Sequence, residues 1–241
     1  MNNRGQATIE YIVIFPVLVM LLFGIFQFTL IYQAKTTLNY AVFEAARAGA
    51  VNNAKREAVE EAFARGMSPL YTHDDTVDDV HAARDQVRDE IAAGDRVCIE
   101  RVNPVDEDFS DHSIDHPELD GDSAIPVDNL FYRDNTSSAG GGGAAGRVSL
   151  HDATLLKIKV TYCYPLYVPF LNRVIPEWFT GNVEGQWFTG NDDSEAHDDG
   201  LGEFKLNCIG NRQLPISADA IMRMQSPVIN DESYSTAAQC S

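Results

Sequence analysis

From Tyr11 to Tyr32 the chain carries no charged residue, and that run limits the folds open to it more than any other feature. As an α-helix rising about 1.5 Å per residue it extends about 33 Å, enough to cross a hydrocarbon core of about 30 Å. No second run of that length occurs, so one crossing is expected, with everything beyond about Lys35 on one side. Glu10 stands at the edge of the run. A carboxylate at the centre of a membrane helix costs about 3 kcal/mol and less near an interface, so this acid calls for a partner.

Three readings of the segment compete. A secretory signal peptide also pairs a short basic start with an apolar run, but the small-residue cleavage pattern is missing, since Ala34 is preceded two positions earlier by bulky Tyr32. A plain anchor leaves Glu10 without a purpose. The third reading supposes a cut between Gly5 and Gln6. The new α-amino group, with a reference pKa of about 8, would lie on the same helix face as Glu10, about 6 Å away along the axis. A salt bridge from the Gln6 ammonium to Glu10 then forms within one chain or between chains staggered by a turn. Gly5 suits the cut because a residue without Cβ leaves the scissile bond open. Orientation is not set by charge: Arg4 precedes the run, while Lys35, Arg47, Lys55 and Arg56 come after it.

The stretch R-G-Q-A-T-I-E-Y-I-V-I-F-P, continuing to A-V-F-E-A-A-R-A-G-A, resembles the TadE-like family of pseudopilins from the tight-adherence (Flp) pilus machinery. Gly5 matches the residue before the prepilin-peptidase cut, Glu10 the acid five residues beyond it, and Tyr11 its aromatic neighbour. Pro16 matches the proline of the apolar run, and Ala45, Ala46 and Arg47 match the closing A-A-R. The resemblance covers about residues 4–50. I-S-A-D-A-I-M-R-M-Q-S at 216–226 is similar, less specifically, to the family's final segment. The resemblance implies a leader of residues 1–5 removed by a prepilin peptidase, a cytoplasmic N-terminus at the bacterial inner membrane, and a periplasmic C-terminal part. It also implies pilin-like subunits and inner-membrane pilus assembly proteins as partners, and a part in pilus assembly, adhesion and biofilm formation.

Bulk properties narrow the alternatives. The formal net charge is −18; residues 1–47 hold Arg4, Lys35 and Arg47 against Glu10 and Glu44, so the acidity lies beyond them. Such a surface repels phosphate, disfavouring nucleic acid and docking on anionic lipid through a basic patch. Cys98, Cys163, Cys208 and Cys240 contain no C-x-x-C pair of the kind that binds zinc. They are either buried free thiols or up to two disulfides of an oxidising compartment, in any of three pairings.

The expected fold is α+β: a long N-terminal transmembrane helix continuing into a helical stalk, then a periplasmic antiparallel β-sheet domain with long acidic loops. Its parts are the leader 1–5, a pilin-like helix 6–52 with the membrane segment 11–32, a helical segment 53–94, and a β-rich region 95–241 with a C-terminal tail. Pro16 predicts a bend. Ala41, Ala45, Ala48 and Gly49 form a small-residue face open to a partner helix or to the chain's own sheet. Asn52 and Asn53 interrupt the helix; 54–65 resumes it with a Glu61 to Arg65 spacing, and Gly66 stops it. Thr76–Ala93 predicts a further helix with Val77, Val80, Val87 and Ile91 inward, closed by Gly94. Strands are predicted at 97–102, 155–164, 204–209 and 216–226, and Pro165 and Pro169 make P-L-Y-V-P-F at 165–170 an extended edge. The insertions 137–146 and 191–200 bury too little apolar surface to order themselves.

Other constellations point to chemistry weakly. His112 and His116 in D-H-S-I-D-H would face a metal only on a helix, which Pro117 opposes. The acids from Asp106 to Asp122 lack the oxygen spacing of an EF-hand. G-D-S-A at 121–124 has no supporting histidine element, and the glycines at 140–143 lack the G-K-[ST] of a phosphate loop. No enzyme, cofactor, metal or small-molecule substrate is therefore expected, and membrane lipid is an expected partner. The competing reading is a membrane-anchored periplasmic metal-binding protein or enzyme with a pilin-like leader.

Overall fold

A computed structural model describes residues 6–115, 119, 123–133, 148–168, 203–231, 233–234 and 240. The architecture is α+β. Helix α1 (Gln6–Val51) runs unbroken through the proline, so Pro16 does not end it. The lost N–H removes one bond, to the Ile12 carbonyl, and the turns on either side carry the helix through.

The helix stops where expected, and for a nameable reason. Asn53 and Ala54 take left-handed backbone conformations, and Ala54 donates its N–H to the Gly49 carbonyl at 2.9 Å. The freed carbonyls find partners in a distant segment: Gln225 N–H bonds the Ala50 carbonyl at 2.9 Å. The Asn53 side chain donates to the Pro227 carbonyl at 2.8 Å. The helix end, with its Gly49 and Ala50 carbonyls satisfied, is thereby tied to the end of the sheet.

Helix α2 (Arg56–Met67) packs back on α1, and a 3₁₀ turn comes next at Ser68–Leu70. Gly66 does not terminate α2. It lies inside the helix, where a Cβ would come within 2.6 Å of the Ala41 Cα. The glycine is there to let two backbones meet. Helix α3 (Val77–Ala93) is capped by the Thr76 hydroxyl at one end and by left-handed Gly94 at the other. Its buried line is Ala83, Val87 and Ile91, whereas Val77 and Val80 are exposed, so the inward stripe is shorter than predicted. Glu61 pairs with Arg84 and Arg88 of α3 across the helix interface.

Strands β1 (Val97–Asn103), β4 (Leu155–Pro165) and β5 (Gln213–Arg223) form an antiparallel sheet in the order β1-β4-β5. In register, Ile99 faces Val160, and Val160 faces Ala218. With the two-residue period of a strand, this puts Leu156, Ile158 and Val160 on one side with Ile216 and Ala218. That side packs on Leu38, Val42 and Ala46 of α1 in a single core. Between β1 and β4 lie α4 (Asp106–His112), β2 (Ile114–Asp115), β3 (Ser123–Ile125), a 3₁₀ turn at Leu130–Tyr132, and α5 (Leu150–Ala153). Strands β2, β3 and β6 (Val228–Ile229) make a second small antiparallel sheet.

One predicted strand is a helix. Residues 204–209 belong to α6 (Glu203–Gly210). Phe204 and Cys208 are buried four residues apart while Leu206 between them is exposed, the spacing of one helical face and not of a strand. The insertions 137–146 and 191–200, Pro169 and His116 lie outside the described residues.

Candidate functional site

Helix α1 has two halves with opposite surroundings. From Tyr11 to Phe26 its large apolar side chains are exposed, among them Ile12, Val13, Leu18 and Phe26. In water such a surface would aggregate; it is long and apolar enough to cross a membrane. From Ala34 onward one face is completely buried, through Leu38, Ala41, Val42, Ala45, Ala46 and Ala50. Of the small-residue face predicted at Ala41, Ala45, Ala48 and Gly49, all but half-buried Ala48 are thus taken up within the chain. A Cβ on Gly49 would come within 2.8 Å of Leu156 and 2.9 Å of Val59. The opposite face carries exposed Tyr40, Phe43 and Arg47.

The junction of the two halves is Gln27. It is 1% exposed, and its Oε1 accepts the backbone N–H of Val168 at 3.1 Å. The segment leaving β4 therefore closes on α1 at this level, with Leu166 and Val168 also buried.

The predicted site residues fall along this helix. Gly5 lies outside the described residues, and Gln6 begins α1. Glu10 is four residues on, exposed, at the same end as the bare stretch. Tyr11 is exposed and stacks on Phe15 with ring centroids 5.4 Å apart. Ala45 and Ala46 are fully buried, and Arg47 beside them points outward. The A-A-R element thus spans both faces: two alanines hold the helix to its own domain, and the arginine is left for solvent.

The cysteines lie on the face of the sheet away from α1. Cys98 is opposite Thr161 in register, and Cys163 is two residues further along the same strand, so both point to that side. The structure pairs Cys98 with Cys240 and Cys163 with Cys208, with Cα atoms 5.5 and 5.4 Å apart. Phe204 completes this second cluster. One bridge pins α6 to the central strand; the other pins residue 240 to β1.

Two buried polar arrangements escaped the sequence reading. The Tyr71 hydroxyl donates to Glu90 at 2.5 Å and lies 2.7 Å from the Tyr162 hydroxyl, while Arg96 donates to Glu90 at 2.6 Å. Burial raises both tyrosines, Tyr162 to about 12. This network joins the turn after α2, α3 and β4. Arg101 is held between the Phe109 and Tyr234 rings, 4.8 and 5.2 Å from their centroids. It donates to Asp106 at 3.1 Å and to Asn230 at 2.8 Å. Burial pulls its pKa down, and the carboxylates of Asp106, Asp231 and Asp108 oppose that pull. Neither arrangement has a local motif, because its members come from strands and helices far apart in sequence.

The His112–His116 spacing is not helical in the structure: α4 ends at His112, and Ile114–Asp115 form a strand. His112 is hydrogen-bonded to the Val148 carbonyl at 2.9 Å. Among the described residues, no group of three or more His, Cys, Asp or Glu side chains could hold a metal ion.

No curated protein and no solved structure matches the chain. Residues 5–47, the stretch that holds the bare helix, Glu10 and the buried alanine pair, match the family model described as TadE-like protein, and this N-terminal part of the chain is TadE-like.

Proposed function

We propose that this chain is a pseudopilin, a minor pilin-like structural component of tight-adherence (Flp) pilus biogenesis that supports assembly, surface adhesion and biofilm formation. The observation that carries this reading is the division of α1. Its TadE-like part is bare where a membrane would surround it and forms the spine of a folded domain where it would leave. A prepilin peptidase removes Met1 to Gly5 on the cytoplasmic side of the inner membrane, and the domain beyond Gln27 is periplasmic. The ammonium thereby created on Gln6 neutralises Glu10 on the same helix face, about 6 Å along the axis. Pilin-like subunits and inner-membrane assembly proteins then meet the apolar stretch and the exposed face at Tyr40, Phe43 and Arg47. In this reading the domain supplies shape and contacts, not catalysis.

The test is Glu10→Ala in the native cell. The substituted protein is expected to remain in the membrane fraction at the normal level while pili are lost. Normal piliation by the Glu10→Ala strain contradicts the salt bridge as an assembly device.

A further inference from the structure

We propose that the hydrocarbon ends at Gln27, and that Tyr167 and Tyr32 seat the folded domain on the headgroup layer of the bilayer, a membrane contact beyond the crossing itself. This rests on reading α1 as a membrane anchor.

The uncharged run alone would centre the bilayer between Tyr11 and Tyr32. Gln27 would then lie about 8 Å from the midplane, well inside a core of about 30 Å. At that depth would lie Val168, which bonds Gln27, and its exposed neighbour Tyr167, whose backbone is neither helix nor barrel strand. Irregular backbone facing lipid has no water to satisfy its polar groups, at several kcal/mol for each. The bilayer must therefore sit closer to the N-terminus.

With the boundary at Gln27, about 20 residues fill the core, from near Ala7 to Phe26. Two features then fall into place. Glu10, about 26 Å before Gln27, lies just inside the far edge of the hydrocarbon. Tyr32, about 8 Å beyond Gln27, lies in the headgroup layer, as does Tyr167, whose neighbour Val168 bonds Gln27.

These tyrosines are 72% and 68% exposed. An apolar ring with a polar tip suits that layer. Tyr167 is also firmly backed: its ring meets that of buried Tyr164 at 5.9 Å, and Tyr164 meets Tyr162 at 6.5 Å. The file of rings runs from the core outward and holds the outermost ring in place. With a net charge of −18, the domain gains nothing from anionic lipid, so the contact is an aromatic one with zwitterionic headgroups.

The experiment places a nitroxide on the full chain in phosphatidylcholine vesicles, at Tyr167→Cys, Phe28→Cys, Leu18→Cys or Phe131→Cys. All four side chains are exposed, and peptide mass mapping verifies that both native disulfides are kept. Collision with oxygen and with a water-soluble nickel chelate reports depth. The proposal expects the label at Leu18 to be deep and the label at Phe131 to be aqueous. It expects those at Tyr167 and Phe28 to lie between them, with nickel collisions at Tyr167 several-fold rarer than at Phe131. A Tyr167 label as open to nickel as the Phe131 label, with Leu18 immersed, overturns the proposal and leaves the anchor intact. A Phe28 label as deep as Leu18 also overturns it. A Leu18 label open to nickel overturns the anchor reading and the proposal together.

Discussion

At the scale of single residues, two glycines show how tightly the first helix is held. A Cβ at Gly66 meets the Ala41 backbone at 2.6 Å, and backbone cannot step aside. Overpacking costs about 1–3 kcal/mol against a helix-propensity gain of about 1 kcal/mol. Gly66→Ala is therefore expected to lower stability by up to about 2 kcal/mol, read as a lower thermal midpoint by near-ultraviolet circular dichroism in detergent. At Gly49 the opposing atoms are side-chain methyls of Leu156 and Val59 and not backbone, and the Leu156 end can swing aside although β-branched Val59 is stiff. Gly49→Ala should therefore cost less than Gly66→Ala, and the reverse order would contradict this packing. The small side chains at Ala41, Ala45, Ala48 and Gly49 were legible in the sequence as a face for close approach. What they approach was not, because a partner helix and the chain's own helix and sheet demand the same small residues.

At the scale of elements, what the sequence revealed depended on whether a segment's partners were local. The Thr76 cap and Gly94 stop bracket α3 by chemistry within a few residues, and its bounds were legible. F-K-L-N-C-I was misread because a short apolar run fits either period, and its place is decided by the bridge from Cys208 to Cys163 on another element. The bridges close loops of 142 and 45 residues, so in the chain-entropy account removing them costs about 5 and about 4 kcal/mol. Mass mapping without reduction should find these two pairs, and Cys163→Ser with Cys208→Ser should loosen α6 before the sheet.

The tyrosine network gives the same elements a dependence on pH. Burial pushes Tyr162 up to about 12, from a reference near 10, so the folded chain keeps this proton after the unfolded chain has released it. The contribution is full below about pH 10 and is lost as pH climbs through about 12. Urea unfolding across that range should show the decline, and Tyr162→Phe should make it shallower.

At the scale of the whole molecule, one helix does two jobs, and the sequence declared the first more clearly than the second. An uncharged run with an acid at its edge marks a crossing. The lone amide within it, Gln27, was the available signal for the boundary proposed above, but its meaning depends on Val168, far along the chain. The Arg101 cage and the bridge to Cys240 likewise bring the tail back to β1, a closure that no local pattern announces. The excess of acidic residues lies beyond residue 47 and not in the N-terminal helix, which suits the proposed meeting of the bare stretch with lipid and with other apolar helices.

The central claim is that Glu10 is answered by a terminal ammonium made by cutting after Gly5. Intact-mass measurement of the protein extracted from membranes, with and without the prepilin peptidase, tests it most directly. The account predicts a chain beginning at Gln6 when the peptidase is present and at Met1 when it is absent, each lighter by two hydrogens for every disulfide. A chain from peptidase-bearing cells that still begins at Met1, or that begins beyond Tyr32, contradicts it.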